Sequence, residues 1–78
     1  MEYQEAYPVG TRVAVRDRDV LQAFRQSWRS HHPLSESMLE HAGARAVVAE
    51  VGFYHGGDVL YQLDGVPGTW HEACLRAE

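Results

Sequence analysis

Lysine is missing from this chain. All seven basic residues among its 78 are arginines, and eleven acids outweigh them for a formal net charge of −4. That acidic balance disfavours binding to nucleic acid through phosphates. Cysteine is almost missing. Cys74 is the only one, so no disulfide framework can staple the fold and no Cys-x-x-Cys metal motif exists. A lone thiol and no signal peptide lead us to expect a reducing cytoplasm. Long apolar runs are missing as well. None approaches the roughly 20 residues needed to cross a bilayer, so no membrane is expected. No internal repeat or low-complexity segment is present.

What remains is one small domain. A chain of this size buries only about 60% of its unfolded surface, so its core is thin. Residues 1–8, with Tyr3 and Tyr7, read as an extended lead-in to a single domain over 9–78. Charge is uneven along it. Residues 1–29 carry five arginines against four acids, and residues 30–78 two against seven.

"TRVAVR" alternates, with Val13 and Val15 on one face and Arg12, Ala14 and Arg16 on the other, as in a half-buried strand. The period then changes. In "DRDVLQAFRQSWRS" a 100° step gathers Val20, Leu21, Phe24 and Trp28 into one stripe beside Arg18, Arg25 and Arg29. Asp17 is the expected cap, and Pro33 ends the helix. "SESMLEHAG" predicts a second, shorter helix, capped by Ser35 and closed by a left-handed Gly43. Residues 17–42 thus form a helical insertion after the first strand. "ARAVVAEVGFY" predicts a strand with Val47, Ala49 and Val51 on one face. "HGGD" is a turn, and "VLYQLD" is a strand that sets Val59, Tyr61 and Leu63 against Leu60, Gln62 and Asp64. After a break over 64–68, "TWHEACL" gives a last strand and a turn returning Leu75 to the core.

So few short strands cannot bury a flat sheet. Curling into a partly open barrel manages the edges and encloses one core, with Trp70 as anchor across the mouth and Leu75 as plug. The expected class is mainly β with a helical insertion: a small SH3-like barrel of four to five strands with one or two helices after the first. The segments "VGTRVAVR", "MLEHAGARAVVAEVG" and "VLYQLDGVPGTWHEACL" resemble the SH3-like barrels of the Mind bomb repeat type. They also look like short stand-alone relatives in phage, bacterial and mobile-element genes. The resemblance covers about two thirds of the chain and implies protein interaction rather than catalysis. The 17–42 insertion departs from it, where many relatives have a shorter loop.

Candidate chemistry is sparse. His31 and His32 are adjacent, and with His41, His55 and His71 they form no i, i+4 pair, so no metal site is expected. "WHEAC" brings His71, Glu72 and Cys74 close in sequence, but no oxyanion hole or third orienting group accompanies them, and Cys74 reads as a small buried residue rather than a thiol nucleophile. No catalytic residue or cofactor is expected. The Arg18, Arg25, Arg29 stripe is either a solvated helix flank or a surface for an acidic partner, phosphate or sister subunit. Tyr3, Tyr7 and Tyr54 are the aromatics expected at the surface, and an aromatic groove could hold a peptide or small ligand.

The expected function is a non-catalytic interaction module with a protein or peptide partner, binding through Arg18, Arg25, Arg29, Trp28 and Tyr54. The alternatives are a nucleic-acid-associated barrel using the arginine stripe and a small-ligand binder with an aromatic groove. A homodimer is expected to relieve the thin core, with Trp28 nearest the contact.

Overall fold

The computed structural model describes residues 5–54 and 57–78. Tyr3, His55 and Gly56 lie outside the described residues. The elements run β1 (Arg12–Val15), α1 (Arg18–Ser27), a 3-10 helix (Glu36–His41), β2 (Arg45–Tyr54), β3 (Asp58–Leu63), β4 (Val66–His71), a 3-10 turn (Glu72–Cys74) and β5 (Leu75–Ala77). All neighbouring strands are antiparallel, in the order β4-β3-β2-β1-β5. The sheet is not closed, because β4 and β5 end it on opposite sides. The fold is therefore mainly β, with its helices inserted between β1 and β2. No helix is long and apolar enough to cross a membrane among the described residues.

Trp70 and Tyr61 are fully buried and face each other in register across β4 and β3. Val13, Val15, Leu21, Leu39, Val48, Cys74 and Leu75 complete the centre of the core. Leu75 is buried as a strand residue opposite Val15 rather than as a plug in a terminal turn. The chain had one strand still to form there. β5 covers the free edge of β1, which would otherwise leave a row of unpaired amides.

The other corrections have local causes. Ala14 is fully buried although it points away from Val13 and Val15. It sits in a central strand, with Arg45 and Arg76 opposite it on either side, and their long stems can cover one methyl. In β2 the expected face of Val47, Ala49 and Val51 is wrong in its first half. Ala44, Ala46 and Val48 pack inward, Val47 and Ala49 are exposed, and the register shifts between Val48 and Glu50. That bulge spends Ala49, and inward positions change parity so that Val51 meets the core.

The break after β3 is only Asp64-Gly65, and β4 already begins at Val66. Pro67 and Gly68 are bulged out between the pairs Leu63–Val66 and Gln62–Thr69. An edge strand tolerates Pro67 there. Gly68 is required twice. Its φ is +104°, and a Cβ would stand 3.0 Å from Met38 Cε.

In the insertion, Asp17 occupies the N-cap position of α1 without a side-chain capping bond. The second helix is of 3-10 type, with the Ser35 amide meeting Met38 Sδ at 3.4 Å. Gly43 has the expected left-handed φ, +81°. Leu21 is buried and Phe24 half-buried, but Trp28 lies past the helix end with extended φ/ψ.

The lead-in is tied down over its described part. The amides of Ala6 and Tyr7 donate to Tyr61 Oη at 3.2 and 3.4 Å, and the Tyr7 ring packs 5.6 Å from that of Tyr61. Tyr7 is thus half-buried rather than a surface aromatic.

Trp70 Nε1–H has no hydrogen-bond acceptor among the described residues, an arrangement that costs about 1–3 kcal/mol. Trp70→Ala should destabilise the protein by about 3–5 kcal/mol. Trp70→Phe, which deletes the orphaned donor, should cost less than half as much. Urea unfolding of both variants checks the pair.

Candidate functional site

The insertion is fastened to the outside of the sheet by rings. Trp28 closes α1 by donating its backbone N–H to the Phe24 carbonyl at 2.8 Å. The two rings stack, with centroids 5.3 Å apart and planes 16° from parallel. The chain then turns, and Trp28 Nε1–H donates to the His31 carbonyl at 2.6 Å. Both aromatic rings reach His71, each at a centroid distance of 4.8 Å.

His71 follows Trp70 in β4, so alternation turns it away from the core that Trp70 anchors. It is nonetheless only 4% exposed, because the insertion covers it. Its Nε2 lies 2.7 Å from the His32 carbonyl oxygen. A carbonyl only accepts, so Nε2 carries the proton and donates. Burial pulls His71 below its ordinary value of 6.5, and nearby His31 and His32 add to that; the bond to the His32 carbonyl and the Asp58 carboxylate act in the opposite sense. His32 has φ +49°, the one non-glycine left-handed residue among the described residues. Such a backbone costs about 1–3 kcal/mol and persists only where its surroundings hold it.

His31 forms the second layer. Its ring stacks on Tyr54 at 3.8 Å and 28°, and stands edge-on to Trp28 at 5.3 Å. Its Nε2 is 2.8 Å from Asp58 Oδ2, and its Nδ1 is 2.9 Å from His32 Nδ1. Asp58 thus joins the start of β3 to the turn over residues 28–32. No group of three or more His, Cys, Asp or Glu side chains converges as a metal site among the described residues.

Beside this cluster the outer sheet face carries a groove of about 210 Å³, lined by His32, Glu50, Val51, Gly52, Leu60, Gln62 and Thr69. Leu60 pairs with Gly52 on one side and with His71 on the other, so groove and ring cluster share one row of the sheet. Gly52 is the informative residue. It lies inside a strand, its φ is not left-handed, and a Cβ there would meet nothing within 4 Å. Neither backbone geometry nor packing requires glycine, which weakens a strand interior and often marks a place where another chain or ligand approaches closely.

The residues expected to bind are separated. Tyr54, 40% exposed, joins the cluster through His31. Trp28 joins it too, and its ring contacts are with Phe24, His31 and His71 of its own chain. Arg25 and Arg29 stand together elsewhere, flanking a shallow cleft of about 250 Å³ with Gln22 and Gln26; Arg18 is not part of it. The "WHEAC" residues are not assembled for thiol chemistry. His71 faces the rings, and Glu72 accepts a 2.6 Å bond from Tyr61 Oη. Burial and that bond raise the Tyr61 phenol well above its usual range. Cys74 is fully buried.

Sequence reasoning missed His31, His32, His71, Asp58 and Gly52 as one neighbourhood. The available signal was the outward parity of His71 beside Trp70, together with a histidine pair just before Pro33. No family model, no curated protein and no solved structure matches this chain.

Burial pushes the Cys74 thiol up to about 11. It should therefore resist alkylation in the folded protein near pH 8 and react at the rate of a free thiol once urea unfolds the chain. A thiol titration with and without urea checks this.

Proposed function

We propose that this chain is a non-catalytic interaction module of the small SH3-like barrel kind, binding an extended peptide in the groove over Gly52. The strand order, the long insert between β1 and β2, and the 3-10 turn before β5 support the barrel reading. The groove carries the functional one. A mid-strand glycine that the fold does not need leaves room beside its register partner Leu60. Its volume admits one or two side chains rather than a large cofactor. Leu60 offers apolar contact, Gln62 and Thr69 offer neutral hydrogen bonds, and the exposed Glu50 favours a cationic residue in the peptide.

A second reading rests on the cleft between Arg25 and Arg29, whose lining of two guanidinium and two amide groups suits a phosphate or carboxylate. The net charge of −4 works against a nucleic acid there. Duplex and single-stranded DNA should bind no tighter than roughly 10 µM at low salt. Sub-micromolar binding that Arg25→Glu abolishes would put this reading first. A homodimer belongs to the proposal as well. Val47 and Phe53 are exposed apolar side chains on a molecule with a thin core, and sedimentation equilibrium reads the mass directly.

The groove itself is tested with Gly52→Phe. A Cβ at this position meets nothing within 4 Å and the ring would enter the groove, so the melting temperature should stay within a few degrees of wild type. Peptides selected from a random library on the wild-type protein should bind the variant at least about tenfold more weakly. Equal binding to both proteins would contradict the groove.

A further inference from the structure

Three imidazole rings meet in the cluster outside the core. His31 and His32 centroids are 5.1 Å apart, and His31 and His71 centroids 5.7 Å. One carboxylate, Asp58, faces them. We propose that this cluster is a pH-operated latch, holding the turn over residues 28–32 on the sheet at neutral pH and releasing it on mild acidification.

The groups facing His71 decide the sign. The turn contributes His31 and His32, and β3 contributes Asp58. α1 presents the uncharged Phe24 ring, and the register partner in β3 is Leu60. Burial lowers the proton affinity of the His71 ring, which faces the Asp58 carboxyl group and two further imidazoles. Protonation of His71 would place a charge in a buried site walled by Phe24 and Trp28, with Asp58 as the one carboxylate near it among the described residues. The neutral His71 ring already spends its one N–H on the His32 carbonyl. A second proton on Nδ1 would need an acceptor or water.

Linkage follows from the lowered affinity of His71 for a proton in the closed form. The open form binds more protons just below the ordinary value of 6.5, so closure is fully favoured above it and weakens as pH falls toward the lowered value. The mechanical load is visible in the backbone. His32 keeps its left-handed conformation while His71 holds its carbonyl and His31 holds its ring. Loss of both holds removes the reason for that conformation. His32 is also one wall of the groove, so control of ligand binding by the latch rests on the groove reading above, whereas the latch itself does not.

The test uses the whole chain without ligand. Histidine ring signals and the two tryptophan indole N–H signals are followed by NMR from about pH 7.5 to about pH 4.5. His71 is expected to titrate below 6.5. In the same transition the Trp28 indole N–H, bonded to the His31 carbonyl, should lose about tenfold or more of its protection from solvent exchange. The Trp70 indole and the amides of β2, β3 and β4 should keep theirs. His71→Gln, which can still donate to the His32 carbonyl but cannot titrate, should abolish the transition. A His71 value at or above 6.5, a Trp28 signal that stays protected, or loss of the Trp70 signal at the same pH would each overturn the latch, and the wild-type titration decides even if the variant does not fold.

Discussion

The outer half of this molecule depends on His71 being held without a charge between the sheet and the insertion. Its ring is the contact shared by Phe24, Trp28 and His31, and its Nε2–H restrains the strained carbonyl of His32. Remove that contact and α1 keeps Leu21 in the core, while the turn after it loses its bond to the sheet at the His32 carbonyl and keeps the His31–Asp58 bond and the ring contacts with Tyr54. A helix of ten residues is marginal by itself in water, so its placement comes from packing rather than propensity.

The sheet thus has two working faces. Inside, Trp70 and Tyr61 anchor a conventional apolar core, and Tyr61 also reaches out through its hydroxyl to fix the lead-in and Glu72. Outside, the next residues along the same strands, His71 and Leu60, floor a second and smaller assembly of rings. Strand alternation puts the two assemblies back to back within one pair of strands. The groove over Gly52 lies at the border of the outer assembly, where the rings stop and the sheet is bare.

Much of the inner face was legible in the sequence. Alternation grouped Val13 with Val15 and Tyr61 with Val59 and Leu63, the apolar arc found Leu21 and Phe24, and Gly43 marked a left-handed turn. The two register errors share one cause. The bulge at Ala49 and the bulged Pro67-Gly68 depend on the partner strand's register, which a single strand's pattern does not carry. Trp28 fitted the helical stripe but lies one residue beyond the helix, because its contacts with His31 and His71 reward an extended backbone. The outer site was the least legible. Its members come from positions 24–32, 52–60 and 71, and histidine carries no periodic signature that joins them.

The most direct measurement is a double-mutant cycle between Trp28→Ala and His71→Ala, read by urea unfolding at neutral pH. The two rings touch at 4.8 Å and share Phe24 and His31 as neighbours. The cycle should return a coupling of about 1–2 kcal/mol. Losses that simply add, to within about 0.3–0.5 kcal/mol, would show that the insertion is not held to the sheet through His71.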